Sequence, residues 1–385
     1  MSTSANTILH IPLEWYHQMR DSNPVYYDAR LKRWHVFRYD DALHVLNDPV
    51  TFSSEPTPES MQPRLPSILG LDEPRHRQLR SIVSQAFTPR MIAQLAPRIA
   101  EITNQLLDTV IPRGEMDPLQ DLAYPLPITI IAELLGVPPE EQNTFKEWST
   151  LLLSSPQQTT RPQHDRAQIS SMLLDYLLQK LKEHQRQPRN DLMGHLLTAE
   201  VNGAKLSEEE LVDFCRLLLI AGYETTANLI GNAFVCFDEH PDIVEELRRD
   251  PSLMSGAAEE ILRCYPSVSG ATRVTIRPTT LGEQAIDQNS TVLIHIASAN
   301  YDERQFPEPE RFDIRREPNR HLAFGYGIHF CLGAPLARLE ARIALNLVLE
   351  RLQNLQRIPD KPVEAIQTIF TFGVEHFPVT FKAIS

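Results

Sequence analysis

Hydrophobic residues follow a short alternating pattern near the start of the chain and a helical pattern over most of its middle. Aromatic and β-branched residues surround a polar turn near Val25 to Phe37, which predicts a β-hairpin followed by a helix. Proline, serine and threonine crowd the stretch from Thr51 to Pro66, which predicts a long loop. From Arg75 to about Tyr265 the apolar spacing is helical between proline and glycine breakers, so the core is predicted to be mainly α.

One predicted helix stands apart from the others. Ser207 and Glu210 have the spacing of an N-terminal capping box, and the following segment LVDFCRLLLIAGYETTANLIGNAFVCF carries apolar residues on every face. Such a helix must be buried. Gly222 lowers helix propensity by about 1 kcal/mol, and Glu224 loses solvation unless it has a partner. Departures of this kind are expected at functional sites, and the alternative is an exposed kink with a solvated acid.

Strands are predicted on both sides of the helical region. The segments ATRVTIRP and TVLIHIASAN have strand composition, and IFTFGVEHFPVTF near the C-terminus predicts a closing hairpin. The fold class is therefore mainly α, of the α+β kind, with a long central buried helix and small β-sheets.

Composition and charge exclude several classes of protein. Lysine and arginine number 37 against 50 aspartate and glutamate residues, and the net charge of -13 argues against binding to nucleic acid. No apolar run reaches the roughly 18 residues of a membrane span, and the N-terminus lacks a signal-peptide pattern. The four cysteines include no CxxC pair, which argues against a disulfide framework and a structural zinc site. We expect a soluble cytoplasmic protein.

The strongest chemical signal is a cysteine at the end of a glycine-spaced loop. In HLAFGYGIHFCLGAPLARLEARIALNLVLERL, Cys331 directly precedes a long amphipathic helix. The helix dipole and free backbone N–H groups there favour a thiolate, which is the form that binds metals or acts as a nucleophile. Gly325, Gly327 and Gly333 would let the loop turn tightly. For an isolated cysteine, a buried structural thiol is the commoner alternative.

This loop resembles the haem-binding loop of the cytochrome P450 family in its soluble bacterial form. The residues that carry the resemblance are Phe324, Gly325, Gly327, His329, Cys331 and Gly333. The resemblance implies haem b with the Cys331 thiolate as axial ligand of the iron. It also implies one P450 domain over residues 1–385, with a β-rich lobe at about 20–75 and 268–300 and a helical core at about 75–265 and 331–355.

Two further motifs match the family in order along the chain. Glu260 and Arg263 lie three apart on a helix, where taken alone they would be a surface ion pair. Matched to the ExxR helix of the family, they form a buried structural network with Arg311 of FPEPERF. His76 and Arg80 lie four apart on one helix face and are uninformative alone. The resemblance implies that four residues bind the haem propionates: His76, Arg80, Arg273 and His329.

The segment AGYETTAN in the central helix is similar to the oxygen-activating motif of the family, where the helix is bent open over the iron. The resemblance implies that Glu224 and Thr225 are catalytic and relay protons to bound dioxygen, with Thr226 in a supporting role. It also implies six candidates for the substrate pocket, each of which is more often ordinary core: Leu217, Ala221, Val268, Gly270, Phe370 and Thr371. The loop from Thr51 to Pro66 and the segment from Leu151 to His164 are predicted to form the lid.

The activity implied is that of a monooxygenase, which uses O2 as co-substrate to hydroxylate or epoxidise an apolar organic small molecule. Because the chain has neither a GxGxxG loop nor CxxC spacing, the electrons are expected from a separate ferredoxin or similar donor with its reductase. Four arginines are candidates for the docking face, or else lie on solvated helix faces: Arg75, Arg77, Arg338 and Arg342.

Two other functions remain open. A peroxide-driven peroxygenase or a non-oxidative isomerase of the same fold would normally lack the acid and alcohol pair. A haem-binding gas sensor or carrier would need no proton relay. The pair Glu224 and Thr225 favours the monooxygenase over these alternatives.

Overall fold

The structure is a computed structural model that describes residues 11–55, 67–153, 163–368 and 370–384. In this part of the chain the helices are α1 (Leu13–Ser22), α2 (Tyr39–Asn47), α3 (Arg75–Ala86), α4 (Pro89–Gln94), α5 (Ala96–Val110), α6 (Pro125–Leu134), α7 (Gln142–Leu153), α8 (Gln163–Arg186), α9 (Leu192–Thr198), α10 (Glu208–Glu239), α11 (Pro241–Arg249), α12 (Met254–Cys264), α13 (Ile296–Ala299) and α14 (Ala334–Arg351). The strands are β1 (Val25–Asp28), β2 (Arg33–Val36), β3 (Phe52–Ser53), β4 (Glu115–Met116), β5 (Gly270–Thr275), β6 (Thr279–Leu281), β7 (Gln284–Ile286), β8 (Thr291–His295), β9 (Leu352–Arg357), β10 (Glu364–Gln367), β11 (Phe372–His376) and β12 (Val379–Ala383). The predicted mainly α fold with small sheets is confirmed.

The largest sheet has five strands in the order β1-β2-β8-β5-β3. Strands β2 and β8 are parallel, and the other neighbours are antiparallel. Its buried residues Val36, Val292 and Ile294 pack with Val45 of α2 in one apolar cluster. A three-stranded sheet has the order β4-β12-β9, and the pairs β6-β7 and β10-β11 form two-stranded ribbons.

The described residues fall into two compact units. Unit 1 takes its residues from Met1–Ser60, Ala96–Ala123 and Thr225–Ser385, and it contains all twelve strands named above. Unit 2 takes its residues from Met61–Leu95 and Tyr124–Glu224, and it contains helices α3, α4 and α6 to α9. Helix α10 begins in unit 2, and its residues from Thr225 onward belong to unit 1.

Helix α10 is the long helix that the apolar pattern predicts. It is 32 residues long, and its start has the predicted capping box, because Glu210 N donates to Ser207 Oγ (3.2 Å) and Ser207 N donates to Glu210 Oε2 (2.9 Å). Most side chains from Ala227 to Phe237 are buried, as the all-round apolar pattern requires. In the described ranges, no helix has the length and apolar character needed to cross a bilayer.

Three local predictions are wrong in whole or in part. The C-terminal strands β11 and β12 do not form a hairpin with each other, since β11 pairs with β10 and β12 pairs with β9 and β4. The segment IASA continues from β8 as helix α13. The predicted loop after Thr51 begins with strand β3, which pairs with β5, while residues 56–66 lie outside the described residues. Pairing with a distant strand decided the structure in the first and third cases.

Candidate active site

The loop before α14 presents Cys331 at the start of that helix. The Cys331 backbone N–H donates to the Phe324 carbonyl (2.9 Å), and the Phe330 N–H donates to the Gly327 carbonyl (3.1 Å). Helix α14 begins three residues after the cysteine, at Ala334. Cys331 is partly exposed. The predicted position of this thiol at a helix N-terminus is therefore confirmed.

Two of the three loop glycines are required by the backbone. Gly325 and Gly327 have φ angles of 69° and 67°, in the left-handed region. A Cβ on Gly327 would also lie 2.8 Å from the Leu46 carbonyl oxygen. Gly333 differs from the expectation, because its φ is −79° and a Cβ there would contact only the Cys331 Sγ, at 3.9 Å. The turn therefore depends on Gly325 and Gly327.

The substitution Gly327→Ala is expected to destabilise the folded protein by about 1 to 3 kcal/mol, because it places a side chain at a positive φ and against the backbone of Leu46. Thermal unfolding of the purified protein measures the effect. Gly333→Ala is the matched control in the same loop and should change the melting temperature little. Equal losses in the two variants would show that this turn does not need the left-handed conformation.

Glu260 and Arg263 on α12 form a fully buried ion pair. Arg263 donates from Nε to Glu260 Oε2 (2.9 Å) and from Nη2 to Glu260 Oε1 (2.8 Å). Both side chains have 0% exposure. Arg263 Nη1 also donates to the Asn300 carbonyl (3.0 Å). This is a bidentate pair with its remaining donors used, so it is not the surface pair that the helix spacing alone would suggest.

The prediction that Arg311 is the third member of this network is wrong for its side chain. The Arg311 side chain pairs with Glu308 near the surface (3.4 Å), and only its backbone carbonyl accepts a hydrogen bond from Arg263 (3.3 Å). The arginine that reaches the buried carboxylate is Arg316, whose Nε lies 3.1 and 3.2 Å from the two oxygens of Glu260. The reason is local geometry, because the chain turns after Asp313, whose backbone N–H also donates to Glu260 (2.9 Å).

Sequence reasoning missed the residues that connect this network to the cysteine loop. The Asn319 side chain donates to Glu260 Oε2 (3.0 Å). Asn300 donates to the Arg263 carbonyl (3.2 Å) and accepts from the Leu322 N–H (2.8 Å). The Leu322 carbonyl in turn accepts from Gly325 N (2.8 Å). A possible signal was Asn300 itself, a polar residue directly after the apolar segment TVLIHIASA.

The remaining haem-site candidates of unit 1 lie on different elements. Arg273 lies on β5 and is partly buried, and its Nη1 donates to the Thr272 carbonyl (2.8 Å). His329 lies in the turn directly before Phe330 and Cys331 and is partly buried. Thr225 lies on α10 and is also partly buried. Their roles toward a haem remain predictions.

In unit 2, His76 and Arg80 lie on the first two turns of α3, as the sequence predicts. His76 is buried, and burial together with the positive charge of Arg80 lowers its pKa, so that the imidazole is neutral at pH 7. Glu224 lies within α10, and burial raises the pKa of its carboxyl group. A carboxyl with a raised pKa keeps its proton to a higher pH than an ordinary glutamate, which suits a proton donor.

Four of the six pocket candidates lie together in unit 1. Val268 forms an isolated β-bridge with Thr371, and the Ser269 N–H donates to the Phe370 carbonyl (2.9 Å). Gly270 follows directly as the first residue of β5. Leu217 and Ala221 lie on the part of α10 that belongs to unit 2. Of the predicted lid, residues 56–66 and 154–162 lie outside the described residues.

The four cysteines differ in whether they are able to bind a metal as thiolates. Burial raises the pKa of Cys215 and of Cys264 to about 12, and Cys236 is raised further for the same reason. These three thiols are buried and stay protonated. Cys331 is the partly exposed cysteine, at a helix start in the same unit as Arg273 and His329. This donor set fits a haem with a thiolate ligand.

Comparison with known proteins identifies the family. The profile of the family Cytochrome P450 matches residues 9–373. The chain is 43% identical to the putative cytochrome P450 YjiB of Bacillus subtilis over 373 residues, which are 96% of this chain and 93% of YjiB. It is 37% identical to the cyclomarin C epoxidase CymV of Salinispora arenicola over 382 residues, which are 96% of this chain and 95% of CymV. The chain belongs to the cytochrome P450 family.

Solved structures of CYP109E1 from Bacillus megaterium are similar over almost the whole chain. The substrate-free form gives a TM-score of 0.93 at 36% identity and covers 97% of this chain and 99% of its own. The complex with corticosterone gives a TM-score of 0.90 at 37% identity, with 96% and 98% covered. The predicted family, fold and enzyme class are confirmed, and the protein is a P450 monooxygenase.

Two of the four arginines predicted for a docking face are already paired. Arg75 is bonded to Glu210 within unit 2, and Arg338 is bonded to Glu259 within unit 1 (2.7 Å). Each pair is close to neutral, so neither arginine offers the free positive charge that the prediction assumed.

Proposed function

We propose that the protein inserts one atom of O2 into an apolar organic small molecule, with Cys331 as the axial ligand of a haem b. The observation that carries the proposal is the position of Cys331, which is partly exposed at the start of α14 while Cys215, Cys236 and Cys264 are buried as thiols. A helix N-terminus stabilises a thiolate through its dipole and its unpaired N–H groups.

We propose four residues that match the family as ligands of the haem propionates: His76, Arg80, Arg273 and His329. Charge-assisted hydrogen bonds from arginine are well suited to carboxylates at a partly buried site. A neutral His76 would donate one ring N–H without adding a charge, which its lowered pKa supports. The family match supports all four assignments, since each residue lies within the matched range of residues 9–373.

When bound, a haem with a thiolate ligand supplies the chemistry that cleaves dioxygen. The proposed task of this chain's own side chains is proton supply and substrate placement. The Glu224 carboxyl, whose pKa is raised by burial, and the Thr225 hydroxyl would hold and pass on the protons that the reaction consumes. The apolar residues near Val268 and Thr371 place a substrate C–H or C=C bond and exclude water.

The test of the ligand assignment is Cys331→Ser in the purified holoprotein. We expect the wild-type protein, reduced and saturated with carbon monoxide, to give the red-shifted absorption band of a thiolate ligand. The variant should lose that band and all turnover, because a neutral hydroxyl does not replace a thiolate. A correctly folded wild-type protein without the band, or a serine variant that keeps it, would refute Cys331 as the ligand.

The test of the relay is Thr225→Ala. Without the hydroxyl, we expect electrons to be consumed with little product and the reduced oxygen to leave as hydrogen peroxide. The loss of one proton-transfer group should lower the rate of the product-forming step by about 10²- to 10⁴-fold. Product formed per electron pair is the measurement, and Thr226→Ala, at a residue with only a supporting role, should reduce it less than Thr225→Ala. Unchanged coupling in Thr225→Ala would remove Thr225 from this role.

The substrate is proposed to be a medium-sized or large apolar molecule. CYP109E1 has been solved with corticosterone and with testosterone, and CymV is named for the epoxidation of cyclomarin C. We propose the same class for this chain, with electrons delivered by a separate ferredoxin and its reductase, which is the usual arrangement of bacterial members of the family.

A further inference from the structure

Arg338, on the second turn of α14, is held by an acid of another helix. Its Nε donates to Glu259 Oε1 (2.7 Å) and its Nη2 donates to Glu259 Oε2 (2.7 Å), so the contact is bidentate. Glu259 lies on α12 beside Glu260, but it takes no part in the Arg263 pair. The Arg338 side chain is 37% exposed and that of Glu259 25%, so one side of the pair meets solvent.

A histidine completes the pair from the buried side. The His321 side chain has 3% exposure, and its Nε2 lies 3.2 Å from Glu259 Oε2. Its Nδ1 accepts a hydrogen bond from the Ala323 N–H (3.2 Å), so the ring proton of the neutral form is on Nε2 and is donated to Glu259. Burial raises the pKa of Glu259, but the hydrogen bonds from Arg338 and His321 and the positive charge of Arg338 outweigh it and lower the pKa to about 2. The carboxylate is therefore ionised at neutral pH.

The guanidinium of Arg338 lies over the ring of Phe324. The distance from Arg338 Cζ to the ring centroid is 4.4 Å, within the range of a cation–π contact. Phe324 is the first residue of the cysteine loop, and its carbonyl accepts the N–H of Cys331 (2.9 Å). A continuous set of contacts thus runs from Glu259 through Arg338 and Phe324 to Cys331.

We propose that Glu259, His321 and Arg338 form a clamp that fixes Phe324 and sets the charge environment of the Cys331 sulfur. We call these three residues the Arg338 clamp, and Arg338 is its positioning residue. The proposal rests on the proposed function, because it takes Cys331 as the haem ligand.

The clamp has two physical effects. A planar guanidinium fixed by two hydrogen bonds loses little further freedom when it packs on a ring, so it restrains Phe324 more firmly than a flexible cation would. The paired charges of Arg338 and Glu259 also cancel at a distance, so the sulfur experiences little net charge from them. Removal of either partner alone leaves the other uncompensated, and the two single removals act with opposite sign.

The experiment compares the reduction potential of the haem iron in four holoprotein variants. Arg338→Met leaves the Glu259 carboxylate uncompensated, which disfavours the added electron, so the potential should become more negative. Glu259→Gln leaves the Arg338 charge uncompensated, so the potential should become more positive. In the double variant the two charges are removed together, so its reduction potential should differ from the wild-type value by no more than about half of the larger single shift. Arg342→Met is the control.

Arg342 lies one turn further along α14, is exposed and has no ion-pair partner among the described residues. The Arg342→Met variant therefore loses the same charge but keeps the clamp intact. The reduction potential of its haem iron should stay at the wild-type value. In Arg338→Met we also expect the carbon monoxide complex to convert from the thiolate-type to the thiol-type band about tenfold faster than wild type, for a loss near 1.4 kcal/mol. Arg338→Lys should convert almost as fast, because it keeps the charge and loses the planar contact.

Single variants that leave the potential unchanged would overturn the clamp even if conversion becomes faster, since a general loss of stability also speeds conversion. An Arg342→Met shift equal to that of Arg338→Met would overturn it as well. These outcomes differ from failure of the proposed function, in which the wild-type protein itself would lack the thiolate-type band.

Discussion

Replacement of Glu260 by alanine is expected to cost about 3 to 5 kcal/mol of folding free energy, enough to unfold many proteins of ordinary stability. The reason is that Arg263, at 0% exposure, would keep its charge in the interior without its bidentate partner. Arg316 and Asn319 would lose the acceptor that they share. Thermal or denaturant unfolding and the yield of haem-loaded protein measure the loss.

A pair of arginine variants tests which arginine belongs to this network. Arg316→Met should destabilise strongly, since its Nε contacts both oxygens of the buried carboxylate. Arg311→Met should have little effect, because its side chain is 64% exposed and its partner Glu308 is 75% exposed. The opposite order of effects would restore Arg311 as the third member of the network.

The second large effect expected concerns Glu340 on α14, a buried carboxyl group that has no charged partner in the part of the chain that the structure describes. It has 1% exposure, and its Oε2 has no hydrogen-bond partner among the described residues. Burial raises the pKa of Glu340 to about 8 from its usual 4.5. Glu340→Gln keeps the shape and removes the titration, so it should make the folded protein more stable at and above neutral pH.

The sign of the pH dependence follows from the raised pKa. The folded state holds this proton more tightly than the unfolded chain, so the group's stabilisation is complete below the unfolded value and is lost as the pH rises toward 8. From about pH 5.5 to about pH 8 the loss is about 3 kcal/mol, at about 1.4 kcal/mol per pH unit. Unfolding at both pH values should show this loss in the wild type and not in Glu340→Gln.

Glu350→Gln is the matched control for this prediction, since Glu350 is exposed near the end of the same helix. It should leave the pH dependence of stability as in the wild type. If Glu340→Gln shows the same pH dependence as the wild type, the Glu340 carboxyl is ionised in the folded protein and is not neutral as we expect.

The residues that were predicted correctly share short-range signals. The capping box of Ser207 and Glu210, the long apolar run of α10, and the cysteine directly before α14 depend on spacings of a few residues. Glycine, proline and apolar periodicity act over that range, so the sequence states them directly. The left-handed turns at Gly325 and Gly327 belong to the same class.

The predictions that failed required knowledge of distant partners. In the sequence, the segments that form β11 and β12 have the pattern of the two strands of one hairpin. In the structure, however, β12 pairs with β9 and β4. FPEPERF and DIRRE both offer arginines near the same place, and only the turn after Asp313 selects Arg316 for Glu260. Alternative strand pairings, and alternative partners for a buried ion pair, have similar local energies. Tertiary packing decides which of them forms.

The sequence alone determined the family, the mainly helical fold, the cysteine and the order of the motifs along the chain, because each is written in residue type and local spacing. Only the tertiary structure decided that Arg338 binds Glu259 and covers Phe324, that Arg316 joins Glu260, and that Glu340 is buried with no hydrogen-bond partner for its Oε2 among the described residues. The physical reason is that the burial and charge pairing of a side chain depend on elements far away in the sequence, which local patterns do not encode.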